Sequence, residues 1–164
     1  MSDMSMVKSA TNPGRSYKYY SGKPTVPFGH GISLTTFALQ NVTGARNTNV
    51  DAASAAAADF SVKVTNTGDK TGDEVVLAFY HPPAGSKVLR AIFGFQRVHL
   101  SPGESKTVTF PVTPDALKTV TEDGDTVVAT GDYVIELTNG VEETVSYGMT
   151  ITGTQRLLAS FPRL

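Results

Sequence analysis

Three clusters of carboxylates are the residues with the most evident capacity for chemistry. They are Asp73-Glu74, the run Glu122-Asp123-Gly124-Asp125, and Glu142-Glu143. A glycoside hydrolase of the common kind needs two carboxyl groups about 5–10 Å apart. Each cluster lies beside a predicted turn or a glycine, and neighbouring side chains on a strand point to opposite faces. Because solvated acids at turns are the ordinary case, we predict no catalytic residue among them.

Ligands for a metal ion are sparse and poorly spaced. Asp123 with Asp125, or Asp69 with Asp73, could offer oxygen atoms to calcium, but neither stretch has the spacing of an EF-hand loop. The histidines are too far apart in sequence to form a spacing motif: His30, His81 and His99. Cysteine is absent, which removes thiolate metal sites, disulfides and a cysteine nucleophile. We therefore predict neither a metal site nor a cofactor.

Composition and missing motifs exclude further classes of protein. The 164 residues carry 14 basic and 15 acidic side chains, so the positive charge expected of a protein that binds nucleic acid or anionic membranes is lacking. No apolar run approaches the length of a membrane span. The sequence has no nucleophile elbow and no P-loop, and Gly29-His30-Gly31 is only a bare Gly-x-Gly. Nucleic acid and membrane are therefore not expected as partners.

From residue 32 to about 153 the sequence alternates apolar and polar residues in short runs. Phe60, Val62 and Val64 alternate with polar residues up to the turn at 66–73, and Val75, Leu77 and Phe79 continue the alternation. The runs as a whole are 34–40, 60–65, 75–79, 88–95, 108–112, 133–137 and 145–151. About seven short strands with turn residues between them are typical of an immunoglobulin-like or fibronectin III-like antiparallel β-sandwich. The period of two predicts that each sheet buries one face and exposes the other.

The connections carry further expectations. The connection 41–59, which contains an alanine-rich stretch, is predicted to be a surface loop with at most one helical turn, and not a strand. Pro114 predicts a single helical turn over 113–117. Tyr133 lies where a sandwich domain places its tyrosine corner. The tail 154–164 is expected to dock on the domain or on a neighbour, through Leu157, Leu158 and Phe161.

Residues 1–31 differ from this pattern and are called the arm. Glycine and proline interrupt the backbone every few residues, so an extended, irregular segment is predicted. The arm nevertheless carries Tyr17, Tyr19, Tyr20 and Phe28, which cannot form a core by themselves. They must pack on the following domain or on another polypeptide, and these four residues are the candidate interaction surface.

Two features concern the cellular compartment. Asn41-Val42-Thr43 is a glycosylation sequon, which matters only if the chain is secreted. The polar opening Met1-Ser2-Asp3 is not a signal peptide, so either the protein is cytoplasmic or Met1 is an internal position of the natural polypeptide.

Several motifs in succession resemble one enzyme family. Residues 12–20 (Asn-Pro-Gly-Arg-Ser-Tyr-Lys-Tyr-Tyr) and 27–37 (Pro-Phe-Gly-His-Gly-Ile-Ser-Leu-Thr-Thr-Phe) resemble the segment that enters the last domain of glycoside hydrolase family 3. Stretches 64–69, 72–76, 94–98, 100–105 and 131–133 resemble the C-terminal fibronectin type III-like domain of that family. Ile32 and Leu34 depart from the usual Leu and Tyr. The resemblance covers about residues 1–153.

The resemblance implies an accessory domain and not an enzyme. Family members are β-glucosidases and β-xylosidases whose catalytic residues lie in domains that this chain lacks, so the catalytic domains of such an enzyme are the implied partner. It also implies that 1–31 is the end of the preceding α/β domain with its linker, and that the protein is extracellular. Two alternatives stay open at this point. One is a structural module whose arm packs on other copies of itself; the other is a polysaccharide-binding module that uses Tyr17, Tyr19, Tyr20 and Tyr80 in place of tryptophan.

Overall fold

A computed structural model describes residues 4–42, 48–141 and 143–162 of the chain. Thr43 of the sequon and Glu142 of the third acidic cluster lie outside the described residues. The helix α1 is a single turn, Ser16–Tyr19. The strands are β1 (Phe37–Asn41), β2 (Asn49–Asp51), β3 (Ala58–Asn66), β4 (Gly72–His81), β5 (Ala91–Leu100), β6 (Ser105–Val112), β7 (Thr119–Val120), β8 (Thr126–Val128), β9 (Gly131–Thr138), β10 (Thr144–Thr152) and β11 (Arg156–Ala159).

Two large sheets and one small sheet contain these strands. The first sheet has the order β1-β3-β6, and the second has the order β2-β10-β9-β4-β5. A small sheet of β11-β8-β7 lies at one end. The long pairings are antiparallel, as in the register Phe60 opposite Phe110 between β3 and β6. The prediction of an all-β, fibronectin III-like sandwich is confirmed.

The core lies between the two large sheets and follows the predicted alternation. Along β3, Phe60, Val62 and Val64 are fully buried while Lys63 between them is exposed. The Tyr147 ring lies 5.6 Å from the Phe60 ring, and its hydroxyl donates a 2.5 Å hydrogen bond to the Ser61 carbonyl in the opposite sheet. Burial of each such apolar side chain stabilises the fold by about 1.5–3 kcal/mol.

Strand β4 departs from the expectation that each sheet leaves one face exposed. Val76, Ala78 and Tyr80 belong to the core between the sheets. Leu77 and Phe79 point to the outer face, where they are also buried. The prediction of an exposed outer face was wrong for this strand because the arm covers it.

Other differences concern connections and strand ends. The prediction of a loop without a strand over 41–59 was wrong, because β2 pairs in parallel with β10, with Val50 opposite Ile151. Val50 and Ala52 are buried, so the pairing is supported by contact with the core. The first strand begins at Phe37, later than the predicted start at residue 34. The tail docks on the domain through β11, which pairs with β8.

The predicted turns are confirmed. Pro114–Leu117 forms one 3₁₀ turn. The Tyr133 hydroxyl donates a 2.8 Å hydrogen bond to the Ala129 carbonyl, which is the geometry of a tyrosine corner. Burial raises the pKa of Tyr133 to about 12.

Asn66, at the end of β3, joins three segments of the chain. Its buried side chain accepts hydrogen bonds from the Thr35 hydroxyl (2.9 Å) and the Gly68 amide (3.1 Å). It donates to the carbonyls of Lys70 (2.7 Å) and Leu100 (3.0 Å). Because all of these bonds are made inside the protein, the buried amide is fully compensated and fixes the entry into β1.

Candidate docking surface

The arm folds back on itself before it reaches the sandwich. The Asn12 side chain donates a hydrogen bond to the Ser5 carbonyl (2.8 Å) and accepts one from the Gly14 amide (3.0 Å). The Arg15 amide donates to the Met6 carbonyl at 2.9 Å, and α1 follows directly. These bonds hold an otherwise irregular segment in one shape, so its aromatic side chains have defined positions.

Two of the four candidate aromatic residues pack on the second sheet. The rings of Tyr17 and Phe28 stack with centroids 4.3 Å apart. Both rings meet the Phe79 ring edge-on, at 5.8 Å and 6.1 Å. The Leu89 amide donates a 2.7 Å hydrogen bond to the Lys18 carbonyl and fastens α1 to the loop before β5. The arm therefore packs on its own domain, which was one of the two expected partners.

A cluster of charged groups lies beside the aromatic rings. Glu136, which lies opposite Phe79 in the pairing of β9 with β4, accepts a hydrogen bond from Arg90 at 2.8 Å. Its other oxygen lies 2.8 Å from Nε2 of His81. The hydrogen bond with His81 and the charge of Arg90 lower the pKa of Glu136, although burial opposes this. The Arg90 guanidinium also lies 4.5 Å from the Phe79 ring centre, a favourable cation–π contact.

Glycine at position 29 permits the arm to approach β4 closely. Gly29 has φ of +88°, and a Cβ there would collide with the Leu77 side chain. Gly140, in the turn between β9 and β10, lies against the Gly29 backbone from the other side. Gly31 has open space around it. The bare Gly-x-Gly of the sequence is therefore a packing feature, and only its first glycine is required.

Much apolar surface on the arm side remains uncovered. An open groove of about 590 Å³ is lined by Tyr17, Tyr20, Val26, Phe28, Leu89 and Arg90. Beyond the arm, the connecting segment presents Ile32 and Leu34 at 95% and 86% exposure. We call the groove together with Ile32 and Leu34 the docking surface. Exposed apolar side chains in such number often mark a site where another surface binds.

The remaining sequence candidates take other positions. Tyr19 is half-buried beside a second groove that includes Pro82, Pro83 and Val88. Tyr80 is buried in the core and donates a hydrogen bond to the Lys118 carbonyl at 2.7 Å. The prediction that its ring could bind a polysaccharide was therefore wrong. Burial raises the pKa of Tyr80 to about 12.

The acidic clusters make structural contacts. Asp73 pairs with Arg97 and with His99 at the exposed edge of the second sheet, and these two groups lower the pKa of Asp73. Asp125 accepts a hydrogen bond from the Phe161 amide at 2.8 Å, which ties the tail to a turn. Within the three described ranges, no group of three or more His, Asp or Glu side chains is placed to hold a metal ion. None of the helices in those ranges is long and apolar enough to cross a membrane.

Sequence reasoning missed the sheet face beneath the arm. Leu77, Phe79, Arg90 and Glu136 form it, and none was identified as a candidate. A signal was present, because residues 75–80 are six consecutive apolar residues. An uninterrupted run of this kind is typical of a strand that is buried on both faces.

The fold and the sequence together match a known kind of domain. Residues 74–140 match the sequence profile of the Fn3-like family, described as a fibronectin type III-like domain. Over nearly its whole length the chain also resembles the C-terminal region of family 3 glycoside hydrolases, and it contains the domain that is not catalytic. The catalytic domains of those enzymes lie outside the part that this chain matches.

Relatives and solved structures agree on this relationship. The probable exo-1,4-beta-xylosidase bxlB of Aspergillus fumigatus is 34% identical over 99% of this chain, and the exo-1,4-beta-xylosidase xlnD of Aspergillus oryzae is 32% identical over 98%. The chain spans 23% and 22% of their lengths. A solved GH3 exo-beta-xylosidase (XlnD) superposes with a TM-score of 0.77 at 26% identity, covering 98% of this chain and 23% of that one. A beta-glucosidase from Kluyveromyces marxianus gives 0.67 at 27% identity, covering 82% and 16%.

Proposed function

We propose that this chain is the accessory C-terminal module of an extracellular β-xylosidase or β-glucosidase, and that its docking surface packs on the catalytic domains. The chain supplies no catalytic residue in this role. It stabilises the catalytic domains by covering apolar surface on them, while they cover apolar surface on the arm.

The observation that supports this most is that the arm packs on its own domain on one side only, while its other side faces solvent. Tyr17 and Phe28 are held against Phe79, yet the outward side of the same segment presents Tyr20 and Val26 to solvent. Ile32 and Leu34, in the connecting segment, are also exposed to solvent. Exposing such residues without a partner favours aggregation, so a second surface that covers them is expected.

The relatives supply the chemistry of the partner. They are xylosidases and glucosidases, and more than three quarters of their length lies outside the region that this chain matches. An apolar face on that remaining part is the partner that we propose for the docking surface.

A chimera tests the proposal directly. The matching C-terminal region of the xlnD exo-1,4-beta-xylosidase is replaced by this chain, and a second chimera carries Ile32→Asp and Leu34→Asp. We expect the first chimera to hydrolyse a xyloside and to melt near the temperature of the parent enzyme. The charged chimera should melt at a lower temperature, because two carboxylates would be buried against an apolar partner without compensation.

The matched control is Val120→Asp with Leu157→Asp, which places two charges on exposed apolar positions of the small sheet. If the control lowers the melting temperature as much as the charged chimera does, the docking surface is not where the two parts meet. Self-association is the competing outcome. It would appear as a concentration-dependent mass of the full chain in light scattering that a truncation starting at Gly31 abolishes.

A further inference from the structure

We propose that the partner of the docking surface is acidic: a face of the catalytic part of the enzyme whose carboxylates lie opposite Lys18 and Lys23 of the arm. The inference rests on the proposed function, and it adds the charge of the partner. Lys18 and Lys23, which we call the rim lysines, border the groove of the docking surface. Carboxylates on the partner would pair with them around an apolar centre.

The arm is the basic part of an otherwise acidic chain. Residues 1–31 carry four of the 14 basic side chains and one of the 15 acidic ones, so the rest of the chain carries 10 basic and 14 acidic side chains. Asp3 is the single acid of the arm, and the next acid along the chain is Asp51. The net charge of −1 therefore results from two regions of opposite sign. A positive region favours association with a negative surface.

The rim lysines lie at the border of the groove. Lys18 follows Tyr17 in α1, and Lys23 lies between Gly22 and Pro24. Tyr17, Gly22 and Pro24 line the groove, whereas both lysines are exposed. An apolar centre with a polar, solvent-accessible border is the usual arrangement of a protein–protein interface. The lysines are therefore placed where the charges of a partner would meet them.

The acids of the sandwich do not pair with the rim lysines. Among the residues that the structure describes, neither lysine has a carboxylate oxygen within 4.0 Å of its amino group. Two carboxylates on the side of the domain that the arm covers already have basic partners. Glu136 pairs with Arg90 at 2.8 Å, and Glu122 pairs with Lys87 at 2.5 Å. The charge of the rim lysines is thus available to a surface outside this chain.

The groove fits a protein surface better than a polysaccharide. A sugar binds to the open face of an aromatic ring, but the Tyr17 and Phe28 rings stack on each other with centroids 4.3 Å apart. Gly22 lies against the ring of Tyr20. The side chain of Val26, which is 62% exposed, offers an aliphatic contact. Apolar side chains of a protein, surrounded by carboxylates, match both the groove and its border.

Charge reversal in a chimera tests the inference. In the chimera of the xlnD exo-1,4-beta-xylosidase with this chain, the rim lysines are reversed by Lys18→Glu with Lys23→Glu, and neutralised by Lys18→Gln with Lys23→Gln. We expect the reversed chimera to melt a few degrees lower and the neutralised one to fall by less, because reversal places like charges opposite each other. The differences should shrink between about 20 mM and about 500 mM NaCl, since salt screens exposed charges.

The matched control is Lys63→Glu with Lys106→Glu, which makes the same change of charge at exposed positions of the first sheet. It should leave the melting temperature of the chimera nearly unchanged. In the isolated full chain, reversal of the rim lysines should also have little effect, because no carboxylate of the described residues pairs with them. A fall in the isolated chain equal to that in the chimera would contradict the inference.

The remaining outcomes separate this inference from the proposed function. If the reversed chimera melts with the control while Ile32→Asp with Leu34→Asp still lowers the melting temperature, the docking surface stands and its partner is not acidic. If neither pair has an effect, both proposals fail. Light scattering of the full chain covers the other occupant, a second copy. A concentration-dependent mass that reversal of the rim lysines abolishes would assign their charge to the acidic sandwich of that copy and overturn the inference.

Discussion

The outer faces of the two large sheets are built from the same kind of alternating strand, but different things cover them. On the first sheet, Ser61 pairs with Thr109 at 2.8 Å and Thr65 pairs with Ser105 at 2.8 Å, and these hydroxyl pairs are exposed to water. On the second sheet, Leu77 and Phe79 occupy the equivalent positions and the arm covers them. Whether an outer face is exposed to water therefore depends on which segment packs on it. The alternation of apolar and polar residues along the strand does not decide it alone.

The comparison also separates two levels of burial within the second sheet. Phe79 on β4 is fully buried under the arm, while Phe95 on the edge strand β5 is 70% exposed. Both are phenylalanines on the outer face of adjacent strands, and Phe95 lies opposite Leu77 in the pairing. The arm thus covers the middle of the sheet and stops short of its edge.

The largest expected effect comes from Phe79→Ala. Removing a fully buried ring leaves a cavity under Tyr17 and Phe28, so the free energy of unfolding should fall by about 3–5 kcal/mol. Phe95→Ala is the matched control and should change it by less than about 0.5 kcal/mol. Urea denaturation followed by circular dichroism measures both. Equal effects would mean that the arm does not cover Phe79 in solution.

The next effect concerns the approach of the arm to the sheet. Gly29→Val should lower the free energy of unfolding by about 2–3 kcal/mol. Valine is strained at the positive φ of this position, and its side chain would collide with Leu77. Gly31→Ala, two residues away and in open space, should have little effect. Limited proteolysis gives a second readout, because the valine variant should be cut within the arm sooner. A valine variant as resistant as the wild type would contradict the close approach.

A smaller and pH-dependent effect is expected at Glu136. Its pKa is lowered from 4.5 in the folded protein, so the stabilisation is complete above about pH 4.5 and is lost as the pH falls through the lowered value. Glu136→Gln should therefore cost about 1.5–3 kcal/mol at pH 7. The difference between variant and wild type should shrink as the pH falls below about 4.5.

Glu122 provides the control for that prediction. Its pKa is also lowered, by Lys87, but both side chains are exposed and the pair is screened by water and salt. Denaturation curves of Glu122→Gln should follow the wild type at every pH. If Glu136→Gln behaved in the same way, the contacts of Glu136 with His81 and Arg90 would be too solvated to support the arm.

The smallest effect belongs to the wet face of the first sheet. A double-mutant cycle on Ser61→Ala and Thr109→Ala should give a coupling energy of about 0.2–1 kcal/mol, as expected for a cross-strand hydroxyl pair. A coupling well above that range would show that this face is shielded from water. It would then argue that a further segment or partner covers the first sheet as well.

Most of the fold could be predicted from the sequence, because strands and turns depend on residues that are close together in the chain. Alternation at Phe60, Val62 and Val64 predicts β3 because a strand places alternate side chains on opposite faces. The helical turn at Pro114 and the corner at Tyr133 follow from local backbone chemistry. The strand β2 could not be predicted in this way, because three residues pair with β10 from a distance of about a hundred positions and have little pattern of their own.

The docking surface could be predicted only in part. Tyr17 and Phe28 were identified because aromatic residues in a segment without a core must pack elsewhere. Their partner, Phe79, was missed because the alternation around β4 was interpreted as one buried and one exposed face. The exposure of Ile32 and Leu34 could not be predicted, because the sequence of a loop does not distinguish a buried apolar residue from an exposed one.

By itself, the sequence determined that this chain forms a β-sandwich, since side-chain alternation and turn residues are local properties. Only the tertiary structure decided which sheet the arm covers, that Gly29 and not Gly31 is required, and that Tyr80 lies in the core. These outcomes depend on contacts between residues far apart in the chain. Close packing selects such contacts by shape and by the compensation of buried polar groups, and neither is written in any single stretch of sequence.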